Sequence, residues 1–410
     1  MNHNYDVLIA GGGAAGFFTA VNLAEAAPHL KIAIFERGKQ VLSKVKVSGG
    51  GRCNVTHAEF DPRSLATHYP RGEKELLGPF HSFMTGDTMA WFEERGVPLK
   101  IEEDGRIFPE SDSSQTIINC FTTAASRLGV EVLLGCGLRE IAHADGRWHV
   151  LTTSGEFACH SLVIATGSST KVWDLLTSKG HSIVPPVPSL FTFNVDDERI
   201  TDLPGVSRDV AVQVLGTDRK VILDSEGPLL ITHWGFSGPA ILKLSAWGAR
   251  LLEPTGYQFE IRINWLGHIT PEEALSALLA TKGVHPRQAL HTYSQWELPK
   301  RLWQQMVRYS GIDATVTWAD VSKSQLQELA QQLTKSRFSV HGKSTFKEEF
   351  VTAGGIALEE VNFKTFESKL FENLYFAGEV LNVDAITGGF NFQNAWTGGF
   401  LAARSIAAKI

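Results

Sequence analysis

Residues Tyr5-Asp6-Val7-Leu8-Ile9-Ala10 make a short apolar run that stops at Gly11-Gly12-Gly13-Ala14-Ala15-Gly16, and an Ala-rich helical pattern follows at once. Strand, glycine turn and helix in that order open a βαβ unit that binds a dinucleotide. Gly11 allows the tight turn, Gly13 lets backbone approach a pyrophosphate, and Gly16 lets helix and strand pack closely. The phosphates would rest on free N–H groups around Ala14 and Ala15, at the positive end of the helix dipole. Such a motif alone also fits a glycine turn in an empty α/β domain. The next strand decides between the two: Lys31-Ile32-Ala33-Ile34-Phe35 ends in Glu36, followed by Arg37. That acid stands about twenty residues after the glycines, where a ribose-binding carboxylate belongs. An acid there disfavours a bound 2′-phosphate, so FAD or NAD fits better than NADP.

At 410 residues and 45.0 kDa the chain is too long for one ordinary core, which predicts two or three domains. Hydrophobic residues at 43% and charged residues at 20% describe a soluble globular protein. No apolar run approaches membrane-spanning length, so no membrane partner is expected. The amino terminus enters a strand almost immediately, with no room for a signal peptide. Among Cys53, Cys120, Cys136 and Cys159 no two form a CxxC pair. Neither a metal site, a disulfide framework nor a flavin-linked redox disulfide is therefore expected, and the compartment is read as cytoplasmic.

After Glu36 comes Ser43-Lys44-Val45-Lys46-Val47-Ser48-Gly49-Gly50-Gly51-Arg52-Cys53-Asn54-Val55-Thr56-His57. Three consecutive glycines flanked by cations make a poor helix or strand and a good backbone cradle for an anion or a flat ring. Ser48 to Asn54 resembles the signature loop of the aminoacetone oxidase/BaiN-like family of NAD(P)/FAD-dependent oxidoreductases. The resemblance implies that this loop lies along a flavin and its pyrophosphate. Lys44, Ser48, Gly49, Gly50, Gly51, Arg52 and Cys53 would then adjoin the cofactor. Cys53 reads either as a redox or acid residue, or as a small side chain packed under the cofactor. His57 departs from the asparagine expected at its position.

Helical patterns over Asp87–Arg95 and Ser114–Leu128 flank a hairpin over Ile101–Phe108. Short strands over Val130–Leu134, Leu138–Ala144, Arg147–Thr153 and Glu156–Cys159 fit the β-meander of such flavoproteins, and the resemblance sets backbone near Leu138 against adenine. Leu162–Gly167 is a further buried strand ending in a glycine turn. It is similar to the Ala-Thr-Gly return strand of two-dinucleotide-domain flavoproteins, which puts Thr166 and Gly167 at the cofactor. Asn373–Glu379 matches the family's ribityl-binding turn, with Gly378 and Glu379 as its end. Thr387–Trp396 opens the last helix, and its N–H groups, with Gly389, Asn391 and Phe392, would face the flavin's N1–O2 edge.

Val184-Pro185-Pro186-Val187-Pro188 reads as a linker, beyond which apolar residues alternate as in strands. Thr232 to Pro239 is similar to the family's THxGxSGP motif. Its His233 reads equally as a proton donor facing the flavin or as a structural histidine bonded to loop carbonyls. Capping boxes at Thr270–Glu273 and Ser322–Gln325, with Pro299 between them, open three helices. The expected class is α/β: a Rossmann-like FAD-binding domain, residues 1–188 and 350–410, split by insertions. These are a β-rich domain, 189–268 and 335–349, and a helical domain, 269–334.

From 282 to 347 ten Lys or Arg face four Asp or Glu, while the whole chain carries −6. Such asymmetry reads as an anionic partner, here RNA, or as a solvated helical face whose cations hold local carboxylates. No second GxGxxG follows a strand, so NAD(P)H would dock transiently over the flavin. The resemblance spans nearly the whole chain, apart from a short link from Ser168 to His181 near the substrate side. It implies non-covalent FAD and NAD(P)H-linked reduction of a conjugated C=C bond, including a uracil in ribosomal RNA. The alternatives are a small-amine oxidase using O₂ and a flavin-bound RNA-binding protein without turnover. The partner is thus a small molecule or RNA, and the sequence fixes neither substrate nor oligomeric state.

Overall fold

The computed structural model describes residues 3–344 and 351–410, so residues 345–350, where the expected β-rich and FAD-binding segments meet, lie outside the described residues. The chain forms two compact units, Met1–Val187 with Lys347–Ile410, and Pro188–Phe346.

The first unit is built around Val7–Ala10, which is buried along its length. It lies inside a seven-stranded sheet ordered Val361–Asn362, Glu367–Ser368, Leu374–Phe376, Ser161–Ile164, Val7–Ala10, Ile32–Glu36, Glu131–Leu134. From Leu374–Phe376 onward the strands run parallel. Interior parallel strands are covered on both faces, which is why these segments read as continuous apolar runs. The register sets Ala10 beside Ile164 and Phe35, and Ile164 beside Phe376, so the carboxyl ends finish in one row. The chain leaves Val7–Ala10 to one side and returns at Ser161–Ile164 on the other. A crevice opens at such a reversal, beyond the strands' carboxyl ends.

The helices Ala14–Ala26, Ser114–Arg127 and Phe390–Lys409 meet in one aromatic core, with Phe18 5.1 Å from Trp396 and Phe121 5.5 Å from Trp396. A Cβ on Gly399 would lie 3.1 Å from Ala15 O, so the last helix sits directly on the first. A four-stranded sheet, His3–Asn4, Gly155–Cys159, Arg147–Thr152 and Leu138–Ala144, adds Phe157 against Phe35 at 4.6 Å. The segment read as a linker is a strand instead. Ile183–Ser189 pairs with Val351–Ile356 in a two-stranded ribbon, where prolines are tolerated because an outer edge needs no donor.

The second unit is a closed six-stranded barrel, in the order Thr192–Asn194, Gly235–Ser237, Val221–Thr232, Ser207–Leu215, Gln258–Asn264, Ser336–Ser344. Helices Pro271–Val284, Lys300–Tyr309 and Lys323–Thr334 follow the expected starts, and both capping boxes form. Trp303, Met306 and Leu329 of these helices share one buried core with Ile261, Trp265 and Phe338 of the barrel strands and their ends. The segments expected as separate β-rich and helical domains therefore pack as one unit. No helix among the described residues is long and apolar enough to cross a membrane.

Candidate cofactor site

The three motif glycines meet three different surroundings. Gly11 has φ +118°, and a Cβ on it would stand 2.2 Å from Ala165 O, so the first turn touches the return strand backbone to backbone. A Cβ on Gly16 would lie 2.0 Å from Gly11 O, which only glycine allows. Around Gly13 a Cβ would meet nothing within 4 Å. Gly13 is also the N-cap of Ala14–Ala26 and offers no side-chain cap, so the helix start is bare N–H over open space.

Glu36 ends its strand with both carboxylate oxygens in use. Oε2 accepts from Gly12 N at 3.1 Å and Oε1 from Gly38 N at 2.6 Å. The carboxylate thus clips the glycine turn to the loop after the second strand. Gly135 N donates to Gly38 O at 3.0 Å, and a Cβ on Gly137 would lie 3.3 Å from Arg37 Cβ. The loop after Glu36, with Arg37, thus lies against the segment that leads into Leu138.

Ser43–Gly51 starts as a helix and then breaks. Ser48 turns extended, and Gly49, Gly50 and Gly51 take φ of +56°, +67° and +87°. Nothing of the protein lies within 4 Å of a Cβ on Gly50 or Gly51, whereas Gly49 is pressed by Asn54 and Phe108. Arg52 holds its guanidinium 3.9 Å over the Phe108 ring and 2.6 Å from Glu102 Oε1. Cys53 is wholly buried at φ +62°, and burial pushes its thiol up to about 12 against a weaker pull from Ser48. Burial that favours the protonated thiol suits a small side chain packed in place better than a thiolate nucleophile.

Three segments distant in sequence converge on Glu379. Its Oε2 accepts from Lys44 Nζ at 2.5 Å, its Oε1 accepts from Thr352 N at 3.1 Å, and Gly167 lies alongside. A Cβ on Gly378 would lie 3.0 Å from Ala15 Cβ. The Gly378–Glu379 turn therefore leans on the first helix.

At the last helix, Gly389 has φ +95° and is the N-cap without a side-chain cap. Thr56 O and Asn54 Oδ1 come within 2.6 and 2.8 Å of where its Cβ would be. A buried chain of bonds fixes this contact: Gln393 Oε1 accepts from Thr56 Oγ1 at 2.6 Å and from Thr88 Oγ1 at 3.0 Å, and Trp396 Nε1 donates to Val55 O at 2.9 Å. Asn391 is spent locally, its amide paired twice with the Ala385 backbone. Phe392 lies flat on Trp396, 5.5 Å away.

Three buried polar atoms near these turns, Thr166 Oγ1, Asn54 Oδ1 and Asn394 Oδ1, have no hydrogen-bond partner among the described residues. Buried acceptors left so are costly unless a ligand fills the need. With two bare helix starts and open space over Gly13, Gly50 and Gly51, they fit an anionic dinucleotide carrying a flat ring. Asn54 and Asn394 were not singled out from sequence. Their signal was position, one in the glycine loop and one in the first turn of the last helix. His233 lies in the second unit, exposed at the tip of the hairpin that pairs Thr232 with Gly235. Among the described residues no group of three His, Cys, Asp or Glu side chains could hold a metal ion.

Fold and site together define a flavoprotein of the Rossmann type. A family model described as HI0933-like protein Rossmann domain matches residues 5–405, and the chain belongs to that family. It is an FAD-dependent oxidoreductase. The chain is 28% identical to the ribosomal RNA dihydrouridine synthase of Haemophilus influenzae, over 100% of both chains. It is 26% identical to the 3-dehydro-bile acid delta(4,6)-reductase of Clostridium scindens, over 98% of both. In fold it is similar to the 3-ketosteroid delta1-dehydrogenase of Sterolibacterium denitrificans, with TM-score 0.53, 11% identity and 100% of both chains covered.

Proposed function

We propose that this protein reduces a conjugated C=C bond with electrons from NAD(P)H passed through its FAD, and that the bond is the C5–C6 bond of a uracil in ribosomal RNA. Bound FAD would supply the two-electron chemistry. The residues supply the seat: first-helix amides for the pyrophosphate, Glu36 for the ribose, and last-helix amides for negative charge on the flavin's pyrimidine edge. Two full-length relatives carry names that differ in substrate, a ribosomal RNA and a bile acid, and agree in saturating a carbon–carbon double bond.

The observation that carries the RNA reading is a set of unmatched cations in the second unit. Arg287, Lys300, Arg308, Lys323 and Lys335 are exposed, and among the described residues none forms a salt bridge. This favours an anionic partner over cations that hold local carboxylates. Lys347, the end of that basic stretch, lies outside the described residues.

The test is nucleoside analysis of ribosomal RNA from a strain lacking the gene, beside the purified protein given NADH or NADPH and the unmodified RNA. Loss of one dihydrouridine in the strain and its formation in the tube are expected. Anaerobic flavin reduction by a small amine, with none by NAD(P)H, would establish an oxidase instead.

A further inference from the structure

The glycine turn before the last helix is held by His57. Its backbone lies in the short strand Thr56–His57, paired with the hairpin at Arg106. Its Nδ1 is 3.1 Å from Gly388 O. A carbonyl has no proton to give, so Nδ1 carries the hydrogen and donates it. The ring stacks on Phe390 at 4.6 Å, and Phe390 stacks on His68 at 4.2 Å. Nε2 faces the Gly105 turn, where even a Cβ would be 2.6 Å away. A neutral ring thus keeps Nε2 bare, as the atom that can still take a proton.

We propose that His57 is a positioning residue that fixes the Gly388–Gly389 turn and takes up a proton when the flavin is reduced, coupling the cofactor's potential to pH. The proposal rests on the cofactor reading above, with the flavin's pyrimidine edge against the first turn of Phe390–Lys409. Two electrons and one proton entering the flavin leave one net negative charge on it. A negative charge near an imidazole raises its pKa.

In the protein as it stands the balance runs the other way. Burial holds His57 below its usual value, while the bond to Gly388, Asp104 and Glu59 pull it up and Arg106 pushes it down. The neighbouring His68 ring lies 6.2 Å off, with Glu59 3.8 Å from its Nε2. Between the lowered pKa before reduction and the raised pKa after it, reduction therefore takes two protons: one into the flavin and one onto Nε2. Below that window the ring is charged in both states, and above it in neither. Within it each pH unit shifts the equilibrium by a further tenfold, about 30 mV for a two-electron couple. Asparagine can also donate to Gly388 O but has no proton to exchange.

The experiment is a spectroelectrochemical titration of the FAD-loaded protein from about pH 5 to 8, the range in which imidazoles titrate. Wild type, His57→Asn and His57→Gln are compared, with flavin content measured separately. Wild type should show a steeper segment that both variants lack. A single slope in wild type overturns the proposal whether or not the variants hold FAD. A steep segment that persists in a variant retaining FAD overturns it too. Wild type without bound flavin removes the cofactor reading itself, and that outcome is visible in the absorbance spectrum before any titration.

Discussion

A side chain at Gly13 would point into space where the protein has no atom within 4 Å, while one at Gly12 would press on Glu36 and Val41 at 3.0 Å. The two neighbouring glycines therefore fail differently. Gly13→Val should fold with an unchanged melting temperature for the apoprotein and purify without flavin, read from the ratio of 450 to 280 nm absorbance. Gly12→Ala should keep some FAD but bind it more weakly, because it displaces the carboxylate that Gly12 N and Gly38 N both hold. Glu36→Ala should cost about 1–3 kcal/mol of FAD affinity, the scale of a charge-assisted bond, by calorimetric titration of apoprotein. Equal FAD content in Gly13→Val and wild type would show that the phosphates lie elsewhere. For Cys53, a buried thiol pushed to about 12, Cys53→Ala should leave the rate of flavin reduction within about twofold. A hundredfold loss in stopped-flow would restore a chemical role.

The elements that hold the site depend on close approaches between segments far apart in the chain. Gly399 is one: its Cβ would meet Thr19 Oγ1 at 3.0 Å and Ala15 O at 3.1 Å. Gly399→Val should force the first and last helices apart, at a cost of about 1–3 kcal/mol in urea unfolding. Asp384 is another, wholly buried and paired through both oxygens with Arg71. Asp384→Ala should lose about 3–5 kcal/mol by stranding the guanidinium. At this scale the limits of the sequence are physical. The glycine turns, strands and capping boxes were legible because each is specified by a few adjacent residues. The Lys44–Glu379 and Thr56–Gln393 contacts were not, since nothing local says which distant side chain will arrive. The Arg52 contacts with Phe108 and Glu102 were equally illegible, since they too join residues some fifty apart. Proline misled at 184–188, where an edge strand and a linker share a composition.

For the whole molecule, the charge of the second unit and the cofactor seat of the first can be tested separately. Arg301 also donates to Asp202 O at 3.2 Å, so Lys300 and Arg308 make the cleaner probe. Lys300→Glu with Arg308→Glu should weaken RNA binding and lower the slope of log affinity against log salt by about one to two. Flavin content should not change; unaltered RNA affinity would count against the RNA reading. The order in which the chain is made matters as well. Ser161–Ile164 is an apolar strand with partners on both sides, and one of them, Leu374–Phe376, is some two hundred residues younger on the ribosome. Until that piece emerges, the nascent sheet presents a sticky parallel edge, of the kind that seeds aggregation. The second unit can fold in the interval, since all six barrel strands precede residue 345. Loading of the cofactor must then wait for Leu374–Phe376 and for the helix Phe390–Lys409 that follows it. Premature termination shortly before residue 374 should yield a colourless, chaperone-bound product rather than a partly active one.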